Sequence, residues 1–338
     1  MVTGETALSA RTVAGRLLGF ALLLVLLDAG AGRLLEALHA TAGEGQLVGQ
    51  LNSAIRARAD VLVLGASTAL HHYDDRALTE RLGLRAFAAG VDGRGVVFSR
   101  GLLALATAAH PPRLVVLDVS YSDRDRTSAQ LLSPYYGRNA VVSGILGRDW
   151  RNRVKLTSRA YRYNGLVLAI LANRATPPMT WGFEPLDGAL PADAAPGGSA
   201  RPDRGFGPWF GRELRQLVAD ARGHGARIVF VESPTWGGRV GPQAMAEFER
   251  VARELDVPFH HLTPEHCPEL ARAALYRDRV HLNRQGAGIF TRRVADLLEQ
   301  ELAQSGPRAG GASGGGRRMT PRYLPRSPRM PLRSMIVF

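Results

Sequence analysis

The stretch that decides the fold of this chain is V-L-V-L-G-A-S-T-A-L-H-H-Y-D-D, at residues 61–75. Its first four residues are all apolar, which predicts a short strand that is buried on both faces. The strand leads directly into a turn of small residues, Gly65-Ala66-Ser67. Such a turn can simply reverse the chain, or it can hold the Ser67 hydroxyl where a substrate reaches it.

The rest of the chain alternates short apolar runs with helical patterns. Further strands are predicted at residues 84–88, 114–118, 227–231 and 257–260. Helical patterns occupy residues 76–82, 96–109, 210–223, 242–255 and 287–303. Short strands that are apolar throughout are typical of a parallel sheet covered on both faces. We therefore predict an α/β domain at residues 50–302, with a three-layer, doubly wound, parallel five-stranded sheet of the flavodoxin-like kind.

Residues 121–208 interrupt this alternation and are too many for a plain connection. A helix is predicted at about residues 152–173, followed by a loop rich in Gly and Pro. We expect an insertion after the third strand that lies over the carboxyl edge of the sheet, where a lid or specificity element would lie. The alternative is a surface excursion with no role at the site.

An apolar segment near the N-terminus, L-L-G-F-A-L-L-L-V-L-L at residues 17–27, follows Arg11 and Arg16. Extended over residues 13–38 it reaches the length of a membrane span. Residues 1–40 are therefore expected to be an uncleaved membrane anchor. A secretory signal cleaved near residues 29–31 is the first alternative, and a buried helix of a cytosolic domain is the second. Because the basic flank precedes the apolar segment, the globular domain is expected to be extracytoplasmic, in the periplasm or on the outer face.

Composition narrows the classes of partner. The formal net charge is +13, but no nucleic-acid reading element is recognisable, so an anionic membrane or envelope polymer is favoured over specific nucleic-acid binding. Residues 306–338 are rich in Gly, Pro, Ser and Arg without a period, which predicts a disordered basic tail. The single cysteine, Cys267, cannot form an intramolecular disulfide. His260, His261 and His266 lack metal-ligand spacing, so neither a metal nor a cofactor is predicted.

Small or polar residues follow every predicted strand. Ligands bind outside the carboxyl ends of the strands in an open parallel sheet, so these residues are expected to meet at one edge. They are Gly65 and Ser67 after the first strand, Gly90 after the second, Asp118 at the end of the third, Ser233 after the fourth, and Asp278 and His281 beyond the fifth. His71 and His72 are candidates for lining the same pocket, or one of them holds the first turn of the next helix.

Asp278 and His281 have the spacing Asp-x-x-His just before the last helix. This spacing lets the carboxylate reach the imidazole Nδ1, which leaves Nε2 free to accept a proton. A serine hydroxyl needs such a base to become a nucleophile. We therefore predict a triad of Ser67, His281 and Asp278, with the backbone N–H groups of Ser67 and Gly90 as oxyanion donors. The alternative for the Asp-x-x-His pair is a solvated loop that caps a helix.

These segments resemble the SGNH/GDSL hydrolase superfamily, and most closely a membrane-anchored bacterial envelope branch of it. The serine block of the superfamily is similar to L-G-A-S-T at residues 64–68, and its last block to D-R-V-H at residues 278–281. Five segments of this chain resemble segments of that branch in the same order. They are L-G-A-S-T-A-L-H-H-Y-D-D, Y-R-Y-N-G, W-G-F-E-P-L-D-G, V-E-S-P-T-W and D-R-V-H-L-N-R-Q-G-A-G-I-F. The likeness covers about residues 15–300.

The resemblance implies a serine esterase or O-acyltransferase that acts on an acylated cell-envelope glycan or lipid without a cofactor. Two side-chain donors of the superfamily are missing, because residues 117–123 contain no asparagine and Ala88-Ala89-Gly90 replaces Asn-x-Gly. Loss of one oxyanion donor costs on the order of 3–4 kcal/mol in comparable hydrolases. Catalysis could survive on backbone donors. The alternative is a catalytically inactive SGNH-like binding or scaffold protein of the envelope.

Overall fold

The computed structural model of the chain describes residues 10–119, 129–197, 208–237 and 241–304. The tail expected at residues 306–338 lies outside these ranges, and so do parts of the expected insertion. The strands within them are β1 (Val61–Leu64), β2 (Ala86–Ala88), β3 (Leu114–Asp118), β4 (Arg227–Glu232) and β5 (Phe259–His261). The α-helices are α1 (Ala10–Thr41), α2 (Gln50–Arg56), α3 (Ser67–His71), α4 (Asp75–Leu82), α5 (Val96–Ala109), α6 (Ala140–Leu146), α7 (Trp150–Thr157), α8 (Val167–Asn173), α9 (Pro208–Gly223), α10 (Pro242–Glu254) and α11 (Arg284–Ala303).

The strands form one parallel sheet in the order β2-β1-β3-β4-β5. This confirms the predicted α/β class and the five parallel strands. In the register, Leu64 lies beside Leu117, and Asp118 lies beside Val231. The carboxyl ends of neighbouring strands are therefore level, which brings the chain segments that leave them to one edge.

Alternate side chains of the strands enter two separate apolar cores. Leu62, Leu64 and Phe230 pack on one face of the sheet with residues of α2, α5, α9 and α10. Val63 and Val229 pack on the other face with residues of α4 and α11. Both faces are therefore covered, which explains why the strands contain so few polar residues.

The N-terminal helix α1 divides into an exposed part and a docked part. Its apolar residues from Val13 to Leu27 are exposed, and it is long and apolar enough to cross a membrane. A signal sequence near the N-terminus meets the same criterion of length and hydropathy. The second part of α1 contacts α8, and its Asp28 accepts hydrogen bonds from the Ser158 hydroxyl and from the N–H groups of Arg159 and Ala160.

Helix is present in the region where at least one helix is predicted, at about residues 152–173, but it is not continuous, because the chain breaks there into α7, a 3₁₀ turn at Tyr161–Tyr163, and α8. Ser158 ends α7 in an extended conformation, and Gly165 has a φ of +79°. The turn between the two helices is held from outside by Asp28. Helical spacing within the segment could not show that a residue more than a hundred positions earlier fixes its turn.

After α8, residues 174–197 form a long segment without helix or strand, here called the strap. The strap runs along the carboxyl edge of the sheet. The Glu184 N–H donates to the Leu70 carbonyl at 3.0 Å, and the Leu190 N–H donates to the Tyr276 carbonyl at 2.7 Å. Asn283 at the start of α11 donates to the Gly188 carbonyl at 2.9 Å.

The buried carboxylate of Asp75 joins the strap to the sheet. It accepts hydrogen bonds from the N–H groups of Ala88 at 2.9 Å and Gly182 at 2.6 Å, and a longer one from Phe183. Burial raises the pKa of Asp75 to about 6, because these hydrogen bonds offset only part of the desolvation of the carboxylate. In the folded protein Asp75 therefore holds a proton at a pH where an ordinary Asp has lost it.

This raised pKa has a testable consequence for stability. The folded chain binds more protons than the unfolded chain between pH 3.8 and about 6, so the contribution of Asp75 to the unfolding free energy falls as pH rises through this window. We expect the unfolding free energy of the wild type minus that of Asp75→Asn to decrease as pH rises through that window. Urea unfolding of both proteins in the same detergent measures it. A difference that is constant or grows with pH would contradict the assignment.

Candidate active site

Ser67 lies at the exit of β1, where the chain turns sharply into α3. Gly65 makes this turn with a φ of +151°, a backbone conformation that other residues rarely adopt. A Cβ at Gly65 would also lie 2.9 Å from the side chains of Ala69 and Asp118. Glycine is therefore required for the turn, and the turn places Ser67, which is half-buried, as the first residue of the helix.

Asp278 and His281 lie on a loop that is closed at both ends. Tyr276 and Leu282 form an antiparallel bridge across it, and the Arg277 N–H donates to the His281 carbonyl at 2.8 Å. The loop then enters α11, where the Asn283 side chain caps the helix by accepting a hydrogen bond from the Gly286 N–H at 3.0 Å. The loop and the helix start thus hold the imidazole in a fixed position.

The structure brings Ser67, His281 and Asp278 into line. The Ser67 Oγ lies 2.8 Å from the His281 Nε2. On the other side of the ring, Nδ1 lies 3.0 Å from one carboxylate oxygen of Asp278 and 3.1 Å from the other. With Nδ1 donating to the carboxylate, Nε2 is free to accept the Ser67 proton.

Asp278 is held in its ionised form although it is partly buried. Burial alone would raise the pKa of this carboxyl, but hydrogen bonds from His281 and from the Val280 N–H outweigh it and lower the pKa. The carboxylate therefore stays negative and can stabilise an imidazolium on His281.

Gly90 packs directly against the turn that carries Ser67. A Cβ there would lie 2.4 Å from the Leu70 nitrogen and 2.6 Å from the Ala66 carbonyl oxygen. The N–H of Ser67 itself is at the start of α3, where a helix has no earlier carbonyl to bond. The structure thus places Gly90 against the turn that carries Ser67, and the Ser67 N–H at the start of α3.

His71 lies beside His281, and the centroids of the two rings are 5.4 Å apart. Its Nδ1 is 2.6 Å from the Glu184 carbonyl of the strap, and its Nε2 is 3.4 Å from the Asp92 carboxylate. Burial tends to lower the pKa of His71, but Asp92 and the Glu184 carbonyl outweigh burial and raise it. A side chain that retains a proton readily therefore lies next to the base.

The other predicted pocket residues are buried around the triad. His72 is fully buried, and its Nε2 accepts a hydrogen bond from the Leu282 N–H at 3.0 Å, which supports the loop of His281. Asp118 and Ser233 are also buried, and the Ser233 hydroxyl donates to the Asp118 carboxylate. These three residues hold the elements that carry the triad.

Sequence reasoning missed several residues around the site. Thr68 and Tyr73 both donate to Asp118, and the strap residues Gly182 and Glu184 contact Asp75 and His71, which follow Ser67 in the chain. The run H-H-Y-D-D is a local signal for Tyr73 and Asp75, since it follows the serine turn directly. The strap has no periodicity from which its position could be inferred.

No protein-family model matches the chain, and no curated protein matches its sequence. Among the residues that the structure describes, no group of three His, Cys, Asp or Glu side chains is arranged to hold a metal ion. The interpretation of the site therefore depends on its own geometry.

The close packing of Gly90 leads to a prediction about stability. We expect Gly90→Ala to lower the unfolding free energy by about 1–3 kcal/mol, because the added methyl group meets backbone atoms of α3 that cannot move aside. Gly144→Ala is the matched control, since a Cβ there meets nothing within 4 Å and alanine favours a helix. Equal unfolding free energies for the two variants would contradict the packing.

Proposed function

We propose that the protein is a serine esterase or O-acyltransferase of the SGNH/GDSL type. The observation that carries this proposal is the 2.8 Å separation between the Ser67 Oγ and the His281 Nε2, with Nδ1 held by Asp278. A hydroxyl, an imidazole and a carboxylate in this order are the groups that acyl transfer through serine requires.

In the proposed reaction, Ser67 Oγ attacks the ester carbonyl while its proton moves to the His281 Nε2. Asp278 stabilises the imidazolium that forms. Collapse of the tetrahedral intermediate breaks the bond to the alcohol, which leaves with the proton from His281. The acyl group then remains on Ser67. Attack by water completes hydrolysis, and attack by an acceptor hydroxyl completes transfer, with His281 again taking and returning one proton.

The oxyanion of the intermediate is assigned to backbone donors. The N–H of Ser67 and the N–H of Gly90 are the candidates, because the helix start leaves the first unbonded and the second lies on the segment packed against the same turn.

Several features of the fold support the family assignment. The strand order places β1 inside the sheet, and helices cover both faces, as a three-layer doubly wound arrangement requires. Ser67 follows β1 and the Asp-x-x-His pair precedes the last helix, in the order that the superfamily blocks have. The exposed apolar part of α1 supports a membrane anchor, and its basic N-terminal flank supports an extracytoplasmic domain. An acylated envelope glycan or lipid is the proposed substrate for this location.

A fluorophosphonate probe tests the nucleophile. We expect it to label the wild-type protein in detergent, and mass spectrometry should locate the label on the tryptic peptide of residues 59–76, which contains Ser67. Ser67→Ala should be unlabelled, while Ser143→Ala, a serine on α6, should be labelled as wild type. If the folded wild type is not labelled, the proposed enzyme is excluded and the inactive binding or scaffold protein is favoured.

The role of Asp278 predicts a rate effect. Asp278→Asn removes the negative charge that orients and stabilises the protonated imidazole, so the labelling rate should fall by at least about 100-fold. Asp296→Asn, on the exposed surface of α11, is the matched control and should leave the rate unchanged. Equal rates for the two variants would show that His281 does not depend on Asp278.

A further inference from the structure

We propose that α7 and α8 form a second membrane contact, which lays this side of the domain on an anionic lipid surface. The inference goes beyond the proposed acyl chemistry, and it rests on the proposed insertion of α1 into the bilayer. The observations that carry it are the connection of these helices to α1 at the end of its exposed apolar part, their exposed apolar side chains, and their charge.

The connection fixes where α7 and α8 lie relative to a bilayer. The exposed part of α1, residues 10–27, is about 27 Å long at 1.5 Å per residue, close to the thickness of a hydrocarbon core, and its apolar residues run from Val13 to Leu27 with Arg16 among them. The next residue, Asp28, accepts hydrogen bonds from the Ser158 hydroxyl at 2.5 Å, the Arg159 N–H at 2.8 Å and the Ala160 N–H at 3.1 Å. If residues 10–27 span the core, the turn between α7 and α8 lies at its boundary.

Large apolar side chains on both helices are exposed near this turn. Trp150 and Val154, one helical turn apart on α7, are each 60% exposed. Leu168 on α8 is 73% exposed, and Leu171 is 39% exposed. Exposed aliphatic and aromatic side chains on helices that are bound to an apolar helix are typical of a surface that rests in the lipid interface.

The charge of the same segment suits anionic headgroups. Residues 140–175 contain one acidic residue, Asp149, and the basic residues Arg148, Arg151, Arg153, Lys155, Arg159, Arg162 and Arg174. Arg148 pairs with the buried Glu213. By contrast, Arg151, Arg153 and Lys155 on α7 are exposed and form no ion pair with a carboxylate among the described residues. Basic side chains next to exposed apolar ones bind anionic lipids, which commits the proposal to a bilayer rather than a protein partner.

Spin labels on the full-length protein test the contact directly. The only native cysteine, Cys267, is buried and is replaced in a Cys267→Ala background. Labels are placed at Leu168→Cys on α8, at Leu22→Cys in the apolar part of α1, and at Gln300→Cys, an exposed control on α11. The protein is reconstituted into vesicles that contain anionic lipid, and collisions with oxygen and with a water-soluble nickel complex are measured at each site.

We expect the ratio of oxygen to nickel accessibility at residue 168 to lie between the high value at residue 22 and the low value at residue 300. Replacing Arg151, Arg153 and Lys155 together by Gln should shift the value at residue 168 toward that at residue 300. A lipid signal at residue 22 with a water signal at residue 168 overturns the second contact and leaves the anchor intact. A water signal at residue 22 overturns both the anchor and the second contact. Dipolar broadening of the label at residue 168 shows that a second copy of the chain covers this surface, and it overturns the lipid contact.

Discussion

The buried carboxylate of Asp118 is the interaction on which the geometry of the site depends. It lies at the end of β3 and accepts hydrogen bonds from the hydroxyls of Thr68 and Ser233, and from Tyr73 at 2.9 Å. A carboxylate that is 1% exposed would be strongly unfavourable without such donors. Because the donors follow β1 and β4, satisfying this one group aligns the exits of three strands. Ser67 is the neighbour of Thr68, so its position follows from the same set of hydrogen bonds.

The strap provides the second constraint. Its backbone binds α3 through Leu70 and His71, and it binds the start of α11 through Asn283 and Arg284. The first element carries Ser67 and the second follows His281, so the strap connects the part of the site that holds Ser67 with the part that holds His281 and Asp278. Asp118 connects the ends of the strands beneath them. Asp75 holds the strap down at a point where Gly182 approaches the Ala88 carbonyl too closely to allow a side chain.

Much of the fold could be predicted from local patterns, and the reasons for the failures are physical. Apolar runs identify β1 and β3 to the residue, because β1 is apolar throughout and β3 is apolar up to its last residue, Asp118. The Asp-x-x-His spacing and the serine turn are also local, so the three triad residues could be singled out. By contrast, the break between α7 and α8 and the path of the strap depend on Asp28 and Asp75, whose partners lie far along the chain. No property of the segment itself shows such a partner.

Ser67 and His281 are 214 positions apart in the sequence, which affects when the site can form. A chain that is exported from its N-terminus delivers β1 and its serine first, and the imidazole follows only after the sheet, the insertion and the strap have emerged. Until then the serine is an ordinary alcohol with no base beside it. Under the proposed function, Ser67 would therefore become reactive only at the end of export.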